Sequence, residues 1–140
     1  MYPDANTLMN ALAKKDYRMV YVSGRPQFEN KYTRTWLNNH SFPAGTVHLT
    51  EQAGQVLPTA SGVQQFKTAL LSDLTTRVGA KIGHAYGNAT TDVGAYEATG
   101  IARFDIFIIG PNAGFDGTEP LPSYTRRLPA IAALSVVMQP

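Results

Sequence analysis

The sequence contains no cysteine among its 140 residues, which excludes disulfide frameworks, thiolate zinc sites and cysteine nucleophiles. No apolar run approaches the roughly 20 residues that a helix needs to cross a bilayer. The first residues also lack the basic segment and apolar stretch of a secretion signal. We therefore expect a soluble, cytoplasmic protein.

The sequence also lacks a large excess of positive or negative charge. The 12 Lys and Arg residues barely exceed the 10 Asp and Glu residues, which leaves a formal net charge of +2. Nucleic-acid binding normally needs a clustered basic face, so we expect no nucleic-acid partner. A hydrophobic content of 44% is typical of a globular domain and excludes a disordered tail.

Several families of catalytic motif are missing. No P-loop and no Gly-x-Ser-x-Gly sequence is present. His40, His48 and His84 are scattered without the spacing of metal ligands. We therefore expect no nucleotide-phosphate loop, no serine hydrolase triad and no histidine metal site in this chain.

Helical and strand patterns alternate along the sequence. Helical periodicity covers residues 6–15, the segment from Phe28 to about residue 39, the segment from Ser61 to Leu74, and residues 91–99. Strand patterns cover residues 17–22, 46–49, 81–86 and 104–109. Such alternation predicts an α/β fold: a Rossmann-like parallel sheet with helices on both faces. We expect one domain over residues 1–114 and a C-terminal extension, 115–140, that packs on it and ends in a short helix.

Three local features give more detailed expectations. Ser61 and Gln64 have the spacing of a capping box at the start of the third helix. Phe28, Tyr32 and Trp36 recur every four residues, which predicts that they line the buried side of the second helix. Asp105 interrupts an otherwise apolar strand, and the sequence offers no role for it.

Polar residues follow two of the predicted strands, where ligands bind in parallel α/β sheets. Ser23 and Gly24 follow the first strand, and Asn88 and Asp92 follow the third. Lys67 lies near the start of the helix that leads into that third strand. A hydroxyl, an ammonium and a carboxylate that converge would suit a phosphate with Mg²⁺. The phosphate would be bound by Ser23, by the backbone amides that follow it and by Lys67. The metal would be bound by Asp92 and Asn88.

The order of these residues matches a known superfamily. The run VYVSGRP at residues 20–26 resembles the second motif of the haloacid dehalogenase superfamily. FKTALLSDL at residues 66–74 resembles its lysine motif, and AYGNATTDVGAY at residues 85–96 resembles its metal-binding fourth motif. The nearest branches are the lipin-type phosphatidate phosphatases and the C-terminal domain of some phosphatidylinositol-transfer proteins. The resemblance covers residues 2–114.

This resemblance implies a haloacid-dehalogenase-like fold with a phosphate site at Ser23, Gly24, Arg25 and Lys67. It implies a Mg²⁺ site at Asp92 and Asn88. The superfamily's first motif, Asp-x-Asp-x-Thr, supplies the nucleophile and follows the central first strand, but this sequence contains neither. We expect a fragment of a longer chain, with the missing motif in the upstream reading frame; direct pairing of the flanking strands and a strand from another chain are the alternatives.

Two functions follow from the resemblance. The first is a Mg²⁺-dependent, hydrolase-type phosphatase domain for a phosphomonoester such as phosphatidate, inactive here because the nucleophile is absent. The second is a non-catalytic module that binds phosphatidate or another anionic phospholipid, with positive charge from Arg25, Lys67, Arg126 and Arg127. Peripheral membrane contact would accompany the second. An exposed strand edge would also favour a homodimer.

Overall fold

The computed structural model describes residues 1–51 and 59–138, so the loop predicted from Glu51 to Ala60 lies mostly outside the described residues. The chain divides into two compact units, Met1–Glu51 with Ser123–Pro140, and Gln52–Pro122. Among the described residues, no helix is long and apolar enough to cross a bilayer. The helices are α1 (Ala5–Ala13), α2 (Asn30–Asn39), α3 (Ala60–Thr76), α4 (Thr90–Ala98) and α5 (Tyr124–Ala132); the strands are β1 (Met19–Pro26), β2 (Gly45–Thr50), β3 (Ala85–Gly87), β4 (Ile106–Ile109) and β5 (Glu119–Leu121).

The first unit contains a parallel pair of strands. β1 pairs with β2 from Met19 opposite Gly45 to Ser23 opposite Leu49. Helix α1 packs against α5, and the buried side chains Leu8 and Ile131 explain why the two helices associate, since burial removes their apolar surface from water.

The second unit contains a three-stranded parallel sheet in the order β3-β4-β5. All four residues of β4 are buried, as expected of a strand covered on both faces. Its core is completed by Ala85 on β3 and Val93 on α4, which cluster with Ile106 and Ile108.

The predicted mixed α/β class is confirmed, because every described strand pair is parallel. The five described strands nevertheless form a two-stranded and a three-stranded sheet rather than one sheet. The third predicted strand was too long, because β3 comprises only Ala85–Gly87. The fourth was too long at its start, because Asp105 lies in a 3₁₀ turn, Arg103–Asp105, before β4. The polar Asp105 therefore never enters the apolar strand.

Two expectations about helices are wrong. Helix α3 begins earlier than Ser61, and its N-cap is Thr59, whose hydroxyl accepts the Gly62 amide at 3.0 Å. The aromatic side of α2 is not buried: Phe28 is 79% exposed and Tyr32 is 75% exposed. Phe28 lies outside the helix, in the 3₁₀ turn Gln27–Glu29 before α2, and spacing alone does not decide which side of a helix faces the protein.

Candidate functional site

The carboxyl end of β1 carries the first group of predicted site residues. The strand was predicted to end before Ser23. It instead continues to Pro26, with a register shift between Ser23 and Pro26. Such a bulge takes the intervening residues out of the strand ladder. The Ser23 hydroxyl accepts the amide of Arg25 at 3.2 Å, and the bulge presents Gly24 and Arg25 at the end of the strand.

Buried Thr50 at the end of β2 fixes this bulge. Its hydroxyl lies 3.0 Å from the carbonyl oxygen of Arg25 and 3.4 Å from that of Gly24, and the residue is 2% exposed. The side chain of Arg25 remains about half exposed and lies 3.9 Å from the Glu29 carboxylate. An exposed pair at this distance is weak, so the guanidinium is available to an anionic ligand.

A cavity of about 200 Å³ lies beside the bulge, between β1 and α2. Tyr21, whose hydroxyl donates to the carbonyl oxygen of Pro43 at 2.8 Å, forms part of its wall, and burial raises the pKa of this phenol to about 12. The cavity therefore combines polar groups of the bulge with apolar walls. Its lining residues are Tyr21, Val22, Ser23, Arg25, Thr33, Trp36, Leu37 and Val47.

A buried ion pair forms the second group of predicted site residues. Nζ of Lys67 lies 2.6 Å from Oδ1 of Asp92, and both side chains are about one-tenth exposed. The same ammonium lies 3.5 Å from the hydroxyl of Thr91. The prediction that Lys67 lies near the start of its helix is wrong, because the residue is in the middle of α3. This position places it opposite the first turn of α4.

Asp92 also organises the loop between β3 and α4. Its Oδ2 accepts the amides of Asn88 and Ala89, each at 3.0 Å. A carboxylate in the first turn of a helix is favoured by the helix dipole. Gly87 is required beside it, because a Cβ there would come within 2.6 Å of the Asp92 side chain.

Close packing of α3 on α4 brings the pair together. At Gly94 on α4, an added Cβ would come within 2.3 Å of the terminal amide of Gln64 on α3, so a larger residue there would displace this side chain. Asn112, after β4, donates to the carbonyl oxygen of Asn88 at 2.9 Å and restrains the same loop. Sequence reasoning missed Asn112, although its place after a parallel strand was a usable signal.

The contacts of Asp92 do not fit the Mg²⁺ site that the resemblance implies. An ionised carboxylate offers about four lone-pair positions, and Lys67, Asn88 and Ala89 already occupy three of them. The Lys67 ammonium would also repel a divalent cation at Oδ1. In the described part of the chain, no three His, Asp or Glu side chains cluster as metal ligands.

The predicted site residues thus fall into two groups. Ser23, Gly24 and Arg25 belong to the first unit, whereas Lys67, Asn88 and Asp92 belong to the second. Within the second unit, Lys67 and Asp92 are in direct contact. The single cleft expected to contain both groups stays a prediction.

Comparison with known proteins identifies the family of this chain. The family model described as PITM 1-3, LNS2 domain, matches residues 1–110. The chain belongs to this LNS2 family. The matched range includes both groups of predicted site residues and all the strands except β5.

Curated proteins are similar to about two thirds of this chain. Human membrane-associated phosphatidylinositol transfer protein 2 is 35% identical over 94 residues, which are 67% of this chain and 6% of that protein. Drosophila melanogaster protein retinal degeneration B is 30% identical over 94 residues, 67% of this chain and 7% of that protein. This LNS2 chain therefore spans less than a tenth of these relatives.

Proposed function

We propose that this chain is a non-catalytic module that binds an anionic phospholipid with a phosphomonoester headgroup, such as phosphatidate, at a membrane surface. The observation that carries the proposal is the bulge at the end of β1, where Ser23 and Arg25 border a cavity. The LNS2 relatives include proteins named membrane-associated phosphatidylinositol transfer proteins, which supports a lipid ligand and peripheral association.

The chemistry of the bulge suits a phosphate. The hydroxyl of Ser23 accepts the Arg25 amide, and within residues 1–51 and 59–138 it donates to no side chain or carbonyl, so its proton is available to a phosphate oxygen. The Arg25 guanidinium supplies a positive charge and paired N–H donors that match phosphate oxygens. A phosphomonoester carries about −1.5 to −2 charges at neutral pH, so it would attract Arg25 more strongly than a phosphodiester would.

In this proposal Lys67 has a structural role and Arg25 contacts the ligand. Lys67 is 7% exposed and directs its ammonium to Asp92. Burial and neutralisation by this carboxylate leave it little net charge to offer a headgroup. The pair therefore holds α3, α4 and the Asn88 loop together, independently of Mg²⁺.

Vesicle co-sedimentation tests the proposal. The chain is mixed with phosphatidylcholine vesicles that contain phosphatidate, an equal charge of phosphatidylserine, or no anionic lipid. We expect binding to phosphatidate above the phosphatidylserine level, and we expect Arg25→Ala to weaken it about tenfold through loss of a charge-assisted contact. Arg77→Ala is the matched control, because Arg77 is an exposed arginine that also pairs with a carboxylate four residues away. Equal binding to all three vesicles would refute the proposal.

The second candidate function is a phosphatase of the lipin type. The buried Lys67–Asp92 pair favours it, because Lys67 lies in the segment that resembles the superfamily's lysine motif and Asp92 lies in the segment that resembles its fourth motif. Its test is phosphate release from phosphatidate with and without Mg²⁺. We expect no turnover, because the given sequence does not contain the Asp-x-Asp-x-Thr motif that supplies the nucleophile in the superfamily it resembles. Turnover that Asp92→Asn abolishes while binding persists would instead establish the phosphatase.

A further inference from the structure

Helix α2 and the turn before it present a row of aromatic side chains to solvent. Phe28 is 79% exposed, Tyr32 is 75% exposed and Trp36 is 38% exposed. Tyr32 and Trp36 are four residues apart on one side of α2, Phe28 lies in the 3₁₀ turn before the helix, and we call the three residues the aromatic face. Three exposed aromatic rings within nine residues are more indicative of an interaction site than a single exposed apolar residue is.

Basic side chains occur in the same segment of the chain as the aromatic face, although Arg34, two residues from both Tyr32 and Trp36, lies on another side of α2. Arg25, Lys31 and Arg34 are all exposed, and Glu29 is the one acidic residue between positions 25 and 40. The Arg34 side chain is held along the helix by a 2.7 Å hydrogen bond from its Nε to Asn30. This local excess of positive charge complements an anionic surface, and each basic group near an anionic membrane contributes to attraction.

The aromatic face also adjoins the proposed headgroup site. Trp36 lines the same cavity as Ser23 and Arg25. The indole stacks on the His40 ring, with centroids 4.3 Å apart, so its orientation is restrained. A lipid whose phosphate lies at the bulge would therefore have its glycerol and acyl portions beside the aromatic face.

We propose that the aromatic face inserts into the interfacial layer of an anionic phospholipid bilayer and points the Ser23–Arg25 bulge at the headgroups. This inference rests on the proposed phospholipid binding and adds the surface through which the protein meets the membrane. Tryptophan and tyrosine favour the membrane–water interface because their rings are apolar and their N–H and O–H groups stay hydrated. Neighbouring Lys and Arg then remain at the level of the phosphates.

The single tryptophan of the chain reports insertion directly. The protein is titrated with vesicles of phosphatidylcholine and phosphatidate, with and without brominated acyl chains. We expect the Trp36 emission to shift to shorter wavelength on binding and to be quenched by the brominated lipid. Vesicles of phosphatidylcholine alone should produce neither change.

A double variant and a matched control locate the surface. Phe28→Ala/Tyr32→Ala should weaken binding to phosphatidate vesicles about tenfold or more, because two large side chains no longer bury apolar area. Both residues are largely exposed, so the variant should retain the circular dichroism of the parent. Phe104→Ala removes another ring that is 70% exposed, in the second unit, and should bind as the parent does.

The outcomes separate this inference from the proposed function. Binding to phosphatidate vesicles without quenching, and with the double variant unimpaired, would overturn the inference alone. Absence of binding to phosphatidate vesicles would overturn both. If ultracentrifugation finds self-association that the double variant removes, and brominated lipid does not quench Trp36, the aromatic face is a contact between copies and the inference is wrong.

Discussion

Lys67 and Asp92 are the residues whose separation we expect to cost the most stability. Lys67→Met would leave the Asp92 carboxylate buried without its ammonium partner, a change that typically costs about 3–5 kcal/mol. Chemical denaturation measures the loss in the free energy of unfolding. Arg77→Met is the control, because the Arg77–Asp73 pair is exposed and should contribute less than about 1 kcal/mol. Similar losses in both variants would show that the Lys67–Asp92 pair has no special structural role.

Tyr21 should give the first unit a distinct response to alkaline pH. Its pKa is raised from 10.0 to about 12 by burial, so the folded state retains this proton where the unfolded state has lost it. The associated stability is complete below pH 10 and is lost as the pH rises towards 12. The free energy of unfolding, measured across this range, should fall less steeply in Tyr21→Phe than in the parent. Parallel curves would contradict the assignment.

At the scale of the elements, the start of α3 tests which hydroxyl caps the helix. Thr59→Ala should destabilise the protein by about 1 kcal/mol, because the Gly62 amide loses its side-chain acceptor. Ser61→Ala should have little effect, since Ser61 lies inside the helix and is exposed. Thermal or denaturant unfolding of the two variants decides the matter. A larger loss in Ser61→Ala would restore the capping box predicted from the sequence.

Elements with strong local signals were predictable from the sequence. Helix α4 and the strand β4 lie where periodicity, glycine and a continuous apolar run placed them. Strand β5 was missed, because Glu119–Leu121 is too short and polar to show a strand pattern and is defined by pairing with β4. Residues 81–84 show the reverse: their local pattern favours a strand, but the ladder begins only at Ala85.

The residues of the candidate site were also only partly predictable from the sequence. The spacing of the motifs identified Lys67 and Asp92, which do meet in the fold. Thr50 and Asn112 could not be found in this way, because neither lies within the three motifs, and their roles depend on the contacts that they make with Arg25 and Asn88 in the fold. The exposure of the aromatic face could not be predicted either. A helical period shows which residues share one side of a helix, but not whether that side faces the solvent or the core.

At the scale of the whole molecule, the fit of Asp92 to its neighbours predicts how stability responds to Mg²⁺. A ligand that binds only the folded state raises the unfolding temperature through mass action. Three of the lone-pair positions on the carboxylate already accept hydrogen bonds, so we expect millimolar MgCl₂ to leave the thermal midpoint unchanged relative to EDTA at matched ionic strength.

The control for this experiment is the exposed residue Asn88, the other metal ligand that the resemblance implies. Asn88→Ala removes its side-chain oxygen but retains the backbone amide that Asp92 accepts, so the variant should fold and behave as the parent with and without Mg²⁺. If Mg²⁺ raised the midpoint of the parent and Asn88→Ala abolished the rise, the metal site would be real. Lys67 would then have to release Asp92 when the cation binds, because the ammonium and the cation would compete for Oδ1.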